Sequence, residues 1–382
     1  MRRSWCNAGR SDEVKNGVIM NNKCMLLLTV VLLLAGRQKA VGQDPLFSQP
    51  YLSPMYLNPA ATGAGENDLR VSLMHRRQWL TIPSQFNYTV LSVDKFFPVI
   101  KGGLGLMATD FSEGYLKRTG VYGSYSYTIC SGEPNIARNE QRQTWFVTGG
   151  LQFGMVQRRI DYSQLLFSDQ INQNGVIPGS VSAADPPIFN KRWYPDFSGG
   201  VYFSHEINGR GNLLLGASAF HINRPDESLV ATTDTFRSPV PIRWSGNANY
   251  QYEGEQWVWG VALLVYQQGS SGTIQLGAEV RPADYDFSLG VWGHWGNTLS
   301  SFNSVGLSVT YTFHGGGAHK QKLLAGVGQD FPMGGNGLSY TTGSTEAGLT
   351  WDYDTKGVGA GSIETGDRCK PRVDIGACPS KQ

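Results

Sequence analysis

The feature that most constrains this chain is a strict alternation of apolar and small polar residues. In Ser304–Phe313, the apolar residues Val305, Leu307, Val309, Tyr311 and Phe313 alternate with Ser, Gly and Thr. Successive side chains of a β-strand point to opposite faces, so this spacing predicts a strand with one apolar and one small polar face. The same alternation recurs in Thr119–Ile129, Trp257–Val265, Ile274–Arg281 and Phe287–Val291.

Weaker versions of the pattern fill most of the remaining chain and bring the total to about twelve strands. They are Leu69–Trp79, Gln85–Phe96, Gly102–Asp110, Thr144–Gln157, Pro195–Ile207, Asn212–His221 and Pro241–Tyr252. Each is close to the 9–11 residues that a tilted strand needs to cross a membrane. Since no stretch predicts a long amphipathic helix, the chain is expected to be all-β.

Composition separates a membrane barrel from its alternative, a soluble β-sandwich. Charged residues make up 16% of the chain, below the roughly 25% of soluble domains, and the second strand face carries Gly, Ser and Thr instead of Lys and Glu. Aromatic residues cluster at strand ends, as in the interfacial girdles of membrane barrels. These residues are Trp79, Phe96, Phe97, Tyr115, Trp193, Tyr194, Tyr250, Tyr252, Trp257, Trp259, Trp292 and Trp295.

We therefore predict a transmembrane antiparallel up-and-down β-barrel over residues 67–314. The long insert Asp161–Arg192 is expected to be an extracellular loop, so that Asn174 is accessible outside the cell and Ser344 is not. Residues 315–382 are rich in Gly, Ser and Thr and lose the alternation. They are expected to form a partly disordered periplasmic extension, with a hairpin of Val327–Phe331 and Ala347–Trp351 as the alternative.

The N-terminus has the order of a secretory signal peptide. Met25–Leu34 is an apolar run of ten residues that follows Lys23 and precedes the small-residue triplet Ala40-Val41-Gly42. The run is too short to span a bilayer, so residues 1–42 are predicted to be removed near Gly42–Gln43. Met20 and Met25 are alternative start positions. In an oxidising periplasm, Cys369 and Cys378 could then form a small disulfide loop.

Residues 43–66 follow as a proline-punctuated strap with neither helical nor strand periodicity. Four prolines lie between Asp44 and Ala64, and proline both restricts the residue before it and removes a ladder donor. An ordinary central strand is therefore excluded. The interspersed aromatic residues predict that the strap is anchored at the periplasmic mouth or inside the lumen. The alternative is a leader that stays loose in the periplasm.

No pattern indicates catalysis, a cofactor or a metal. The six His residues lack ligand spacing, the glycine pairs are not followed by a helix, and Ser204 and His205 point to opposite faces of a strand. The formal net charge of +2 without a basic stripe argues against nucleic acid as a partner. A non-enzymatic protein is expected.

The strap resembles the N-terminal signature of the PorP/SprF family, which consists of outer-membrane proteins of the Bacteroidetes type IX secretion and gliding machinery. The matching residues are Asp44, Pro45, Phe47, Ser48 and Gln49, then Tyr56, Asn58 and Pro59. Further family-like positions follow in the barrel, namely Arg76, Arg77, Gln78, Trp79, Asp94, Asp196 and Asp286. The resemblance covers about residues 43–314, while Asn303-Ser304-Val305 departs from the usual His-Glu-Ile and residues 315–382 run past the expected end.

This resemblance implies about fourteen strands, with the two uncounted ones expected in Ser131–Arg142 or Ser228–Pro239. It further implies an outer-membrane location among outer-membrane lipid, and a role in the export or surface attachment of large adhesin-like substrates. Periplasmic ring or peptidoglycan-linked components of the secretion system are the expected partners, with the strap residues as the contact site. A passive porin or uptake channel is the alternative function.

Overall fold

The computed structural model describes residues 43–65, 69–82, 86–130, 145–183, 190–207, 210–229, 237–299, 301–315, 321–333 and 341–353. Fourteen long antiparallel strands close into one barrel, which confirms the predicted fold class and strand number. The barrel strands are β1 (Leu69–Gln78), β2 (Phe86–Phe97), β3 (Gly102–Glu113), β4 (Leu116–Cys130), β5 (Trp145–Ile160), β8 (Lys191–Ile207), β9 (Gly211–Phe220), β10 (Arg243–Glu253), β11 (Trp257–Gln268), β12 (Ser271–Pro282), β13 (Phe287–Trp295), β14 (Phe302–Gly315), β15 (Gln321–Pro332) and β16 (Ser344–Tyr353). Two short strands, β6 (Ile171–Asn172) and β7 (Gly175–Val176), form a separate hairpin.

Each strand follows its neighbour around the wall, and β16 closes the barrel on β1 in a register that pairs Leu73 with Leu349. The sequence alternation is visible as alternating exposure. Val309 is 46% exposed on the outer face, whereas Ser308 and Thr310 are each 4% exposed and face the lumen. The apolar strand faces therefore form the outer wall, and the Gly-, Ser- and Thr-rich faces line the interior. In the described ranges, no helix has the length and apolar character needed to span a bilayer.

The predicted C-terminal boundary of the barrel is wrong. Strands β15 and β16 both lie beyond residue 314 and complete the barrel, so the hairpin alternative is the one observed. They are the two strands that the count from the alternation lacked, whereas Ser131–Arg142 and residues 230–236 of Ser228–Pro239 lie outside the described residues. The alternation of β15 is weak because Gly326 and Gly328 occupy its inner face and Gln329 interrupts its outer face. Residues 1–42 and 354–382, with the predicted signal peptide and disulfide, lie outside the described residues.

The barrel has two ends that differ in their connections. We call the end where β1 begins and β16 ends the terminal rim, and the opposite end the loop rim. The insert between β5 and β8, which carries the β6–β7 hairpin, lies at the loop rim. Ser344 begins β16 at this same rim, so its expected place in a periplasmic extension is wrong, although at 4% exposure its side chain is buried.

Most of the predicted girdle residues lie on the outer wall, but three do not. Trp193 and Trp257 are more than half exposed, as residues at a membrane interface would be. In contrast, Phe96, Tyr194 and Trp292 are no more than 5% exposed and face the lumen. The sequence could not separate the two groups because dipeptides such as Trp193-Tyr194 place one aromatic on each face.

We expect arginine at the middle of the outer wall to destabilise the barrel strongly. Leu263 and Val309 are exposed apolar residues on β11 and β14, so Leu263→Arg or Val309→Arg should cost roughly 2–4 kcal/mol in lipid. Asn303→Arg, at an exposed position on β14 next to the loop rim, should cost about 0–1 kcal/mol. Urea unfolding in lipid vesicles measures the difference. Equal costs at all three positions would contradict a lipid-facing wall.

The last two strands should be indispensable for closure. A chain that stops after Gly315 lacks β15 and β16 and leaves unpaired edges on β1 and β14. It should fail to give the heat-modifiable gel band of a folded barrel. A chain that stops after Tyr353 keeps all fourteen strands and should give that band. A folded, heat-modifiable product from the shorter chain would contradict the observed topology.

Candidate functional site: a strap inside the barrel lumen

Residues 43–65 lie inside the barrel, which is one of the two positions predicted for the strap. Three short turns build it: a 3-10 turn at Pro50–Leu52, an α-helical turn at Pro54–Leu57 and a second 3-10 turn at Pro59–Ala61. A proline begins each turn, where its missing N–H has no helical partner to lose and its fixed φ suits a helix. The prolines thus convert the chain into a compact series of turns. Leu52, Met55 and Ala60 are fully buried.

The strap crosses the lumen from one rim toward the other. Near its C-terminal end, Gly63 donates its backbone N–H to Asp94 at 2.6 Å, close to where β1 leaves the terminal rim. At its N-terminal end, Asp44 contacts His221, which immediately follows β9 at the loop rim. The backbone N–H of Asp44 also donates to Gln268, the last residue of β11, at 2.7 Å.

Glycines on the inner wall make room for this path. A Cβ added at Gly103 on β3 would lie 2.6 Å from the Cα of Gly63, closer than real Cβ contacts. A Cβ at Gly150 on β5 would collide with backbone atoms of Pro59 and Ala60. The wall therefore needs glycine where the strap backbone rests on it, which explains part of the high glycine content on the inner strand faces.

Asn58 fixes the middle of the strap to two neighbouring strands. Its side-chain N–H₂ group donates to the carbonyls of Val201 on β8 and Ala217 on β9, at 3.1 and 3.2 Å. Its side-chain oxygen accepts the N–H of Ala60 at 2.9 Å and so caps the second 3-10 turn. One side chain thereby shapes the strap and binds it to the wall.

A first buried ionic network holds the N-terminal end of the strap. The carboxylate of Asp44 lies 2.8 Å from Arg118, 3.2 Å from Arg243 and 2.7 Å from His221. The other ring nitrogen of His221 lies 2.9 Å from Asp196. Carboxylates only accept hydrogen bonds, so both ring nitrogens must donate and His221 is an imidazolium.

The pKa values of the two partners agree with this assignment. Burial alone would lower the pKa of His221, but the charges of Asp44 and Asp196 and their hydrogen bonds raise it to about 9. Burial alone would raise the pKa of the Asp44 carboxyl, but His221, Arg118 and Arg243 hold it well below its usual value. The pair is therefore charged at neutral pH. Because both ring nitrogens carry protons, His221 has no lone pair for a metal, and the described residues contain no metal-binding cluster.

A second network binds the next residues of the strap. The carboxylate of Glu346 on β16 accepts the backbone N–H of Ser48 at 2.6 Å and that of Gln49 at 3.0 Å. Arg76 on β1 pairs with Glu346 and lies 2.8 Å from Asp330 on β15. Asp330 in turn accepts the hydroxyl of Ser48 at 2.6 Å. This network ties the strap to the three strands at which the barrel closes.

A third network holds the C-terminal end of the strap. Arg70 on β1 pairs with Asp94 on β2 at 2.7 Å and also donates to the carbonyls of Ala61 and Ala64, at 2.9 and 2.6 Å. Asp94 also accepts the backbone N–H of Gly63 in the strap. A buried ion pair is costly to break because the remaining charge loses both water and partner, so this network should fix the strap end firmly.

Aromatic packing connects the strap to itself and to the wall. The rings of Phe47 and Tyr56 meet edge-to-face with centroids 5.3 Å apart, and Tyr56 packs in the same way on Phe111 at 6.0 Å. The Tyr56 hydroxyl donates to the carbonyl of Pro45 at 2.7 Å, and Arg243 donates to that hydroxyl at 3.1 Å. The predicted aromatic anchors therefore fold the strap back on itself as well as onto β3.

A cavity remains beside the Asp44 network inside the lumen. Its empty volume is about 370 Å³, including space open to solvent. Asp44, Tyr122, Gln152, Asp196 and Arg243 are among its lining residues. Asp44 and Tyr56 of the strap form part of its lining.

The structure brings together most of the predicted site residues. All eight strap residues lie in the lumen. Asp94 contacts the strap directly, and Arg76 and Asp196 contact Asp330 and His221, which bind the strap. Arg77 follows Arg76 on the opposite strand face, Trp79 packs on Phe86 beyond the end of β1, and Asp286 lies at a turn 3.4 Å from His314. Those three do not contact the strap.

Sequence reasoning missed half of the networks. The unpredicted members are Arg70, Arg118, His221, Arg243, Asp330 and Glu346. The alternation does show that those within strands point into the lumen, because each has the inward parity of its strand. A buried ionised side chain requires an opposite charge, so a partner could have been expected for each. No sequence rule states which inward charges meet.

We expect alanine at a strap-contacting glycine to loosen the strap. Gly150→Ala places a methyl group against Pro59 and Ala60, an overpacking that costs about 1–3 kcal/mol and should speed amide exchange in residues 43–65 roughly 5- to 150-fold. Gly149→Ala is the matched control, because a Cβ at Gly149 meets nothing within 4 Å. Hydrogen exchange with mass spectrometry measures both. Identical strap exchange in the two variants would contradict the docked position.

The docking of Asp44 should depend on pH through His221. The folded pKa of His221, about 9, exceeds its ordinary value, so its stabilisation is complete below about pH 6.5 and is lost as pH rises through about 9. A spin label at Gln43→Cys, an exposed position beside Asp44, should be immobile at pH 7 and become mobile above pH 9. Adding His221→Gln should remove this transition. A label whose mobility is constant from pH 6 to 10.5 would contradict the imidazolium assignment.

Comparison with known proteins places these features in a family. No curated protein matches the chain significantly. Among solved structures, the CymD monoaromatic hydrocarbon channel is 10% identical with a TM-score of 0.38, over 79% of this chain and 91% of that one. The Pseudomonas putida toluene transporter TodX is 7% identical with a TM-score of 0.39, over 83% and 99%. A Pseudomonas aeruginosa FadL homologue is 10% identical with a TM-score of 0.34, over 77% and 91%.

A family model gives the stronger result. The model of the type IX secretion system membrane protein PorP/SprF matches residues 40–351 and thus includes the strap and nearly all of the barrel. Its C-terminal limit lies in β16, which agrees with the closure of the barrel beyond residue 314. The chain belongs to the PorP/SprF family of type IX secretion system membrane proteins.

Proposed function

We propose that this outer-membrane barrel acts without enzymatic activity in type IX secretion, where it aids the export or surface attachment of large adhesin-like substrates. The family match supports the secretion system, and the outer membrane is the location. The observation that carries the finer proposal is the occupied lumen. A conduit needs a continuous opening, whereas here three ionic networks bind a folded strap along the interior.

The occupied lumen suggests that the barrel serves as a scaffold. Releasing the strap would separate Asp44 from three cations and leave Glu346 and Arg70 without their strap partners. Leaving buried charges unpaired costs several kcal/mol each, so opening would require strong binding by a partner. We therefore assign substrate handling to the rims and the outer wall. A passive porin, the alternative, would need an open lumen.

A periplasmic partner has a candidate contact at the terminal rim. The turn between β2 and β3 is Pro98–Ile100, and its Val99 side chain is 91% exposed. If this rim faces the periplasm, as expected for a barrel with both ends inside, an exposed apolar turn there would suit a ring or peptidoglycan-linked component. Labelling of whole cells tests the orientation: a cysteine at Asn174 should react, and one at the exposed Glu255 between β10 and β11 should not.

Secretion by complemented deletion strains tests the functional role of the strap. Phe47→Ala with Tyr56→Ala removes the 5.3 Å ring contact while leaving the barrel strands intact, and deletion of residues 44–60 removes the strap almost entirely. Both should reduce surface and secreted substrate proteins, measured by mass spectrometry of cell surface and medium. Heat-modifiable gel mobility verifies that both variants still form the barrel, so that a loss of secretion is due to the strap.

Conductance in planar bilayers separates the two functions. The proposal predicts almost no conductance for the intact protein and a large, stable conductance after deletion of residues 44–60. Normal secretion by the deletion strain would overturn the role assigned to the strap. Stable conductance by the intact protein would support the porin instead.

A further inference from the structure

Three dibasic pairs lie at the loop-rim ends of adjacent strands. They are Lys117-Arg118 on β4, Arg158-Arg159 on β5 and Lys191-Arg192 on β8. One member of each pair has a carboxylate partner: Arg118 pairs with Asp44, Arg158 with Glu227, and Arg192 with Asp226. These paired arginines have the inward parity of their strands. Carboxylates thus neutralise three of the six cations.

The other three members point outward and lie side by side. Lys117 is paired in register with Arg159, and Arg159 with Lys191, so three cations stand directly opposite one another across neighbouring strands. No carboxylate of the described residues forms an ion pair with any of them. The outward carboxylate of Asp110 on β3 accepts the Thr119 hydroxyl at 2.9 Å instead. Like charges at directly opposed positions destabilise a sheet, so this row indicates an anionic ligand from outside the chain.

The wall below the cations is suited to acyl chains. Trp193 is the next outward-facing residue after Lys191 on β8, one step further from the loop rim. It is 56% exposed, as a tryptophan at headgroup level would be. Further down, Met155 is exposed, and Phe153 and Phe197 form an exposed pair with ring centroids 5.0 Å apart. The surface thus has three cations at the rim, a tryptophan at the interface and exposed apolar side chains below. This order matches a phosphorylated lipid with several acyl chains.

We propose that Lys117, Arg159 and Lys191 bind the phosphate groups of lipid A in the outer leaflet. Phosphate oxygens accept charge-assisted hydrogen bonds from all three side chains, and the guanidinium of Arg159 can bind two oxygens at once. The bound phosphate removes the repulsion along the row. The site fixes the depth and rotation of the barrel in the membrane through β4, β5 and β8. It rests on the outer-membrane location and on the loop rim facing the outside, and not on a role in secretion.

The test compares lipid binding by two triple variants. Lys117→Gln with Arg159→Gln and Lys191→Gln neutralises the row. The matched control, Lys95→Gln with Lys101→Gln and Arg210→Gln, removes the same charge at the terminal-rim end of the barrel. Each protein is titrated with bis-phosphorylated lipid A in detergent micelles, and bound lipid is counted by native mass spectrometry. At about 1 kcal/mol per basic residue, the row variant should bind on the order of 100-fold more weakly, and the control should bind like the original protein.

Two further ligands identify the source of the phosphate. Lipid A without phosphates should bind the original protein as weakly as phosphorylated lipid A binds the row variant. Inorganic phosphate should fail to compete at equal concentration, and competition there would overturn the lipid assignment. Equal affinity in the row variant and the original protein, or equal loss in both triple variants, would overturn the site. Heat-modifiable gel mobility verifies folding, and Arg159→Gln alone, with an expected loss of about fivefold, replaces the triple variant if that fails to fold.

Discussion

A barrel of fourteen strands encloses more space than its own inward side chains can fill. Eight strands leave an interior just wide enough for side chains, and 16–18 strands leave an aqueous channel. This chain resolves the problem with its own N-terminal segment, because residues 43–65 fold into the lumen as three proline-initiated turns. The inner glycines, the inward charges and the buried Trp292, which stacks on Tyr51 with centroids 6.0 Å apart, all depend on that occupancy.

Electrostatics distributes the attachment of the strap over the wall. Asp44 is bound through β4, β9 and β10, Ser48 and Gln49 through β1, β15 and β16, and Ala61–Ala64 through β1 and β2. The strap thus contacts strands on both sides of the closing pair β1–β16. It should therefore stabilise closure as well as fill space. The same division between inward and outward sides explains the dibasic pairs, whose inward arginines meet carboxylates and whose outward cations face the headgroup region.

The sequence was informative wherever one face of a strand was continuous. Val305–Phe313 predicted both a strand and its lipid side, and twelve of the fourteen barrel strands were recognised in this way. Strands β15 and β16 were predicted only as an alternative hairpin, because Gly326, Gly328 and Gln329 of β15 serve the strap and the rim and break the alternation. The strap residues were identified by resemblance, but their partners were not. His221 joins Asp44 across 177 positions of sequence, and only the closed barrel brings them together.

Cross-linking in intact outer membranes tests most directly whether the strap occupies the lumen. The Ser126 hydroxyl on β4 donates to the carbonyl of Thr62 at 2.6 Å, whereas the next residue, Tyr127, points outward and is 43% exposed. With Thr62→Cys, a short bis-maleimide should link the strap to Ser126→Cys and not to Tyr127→Cys. Failure at Ser126→Cys, or equal linkage at both positions, would contradict a strap bound inside the barrel.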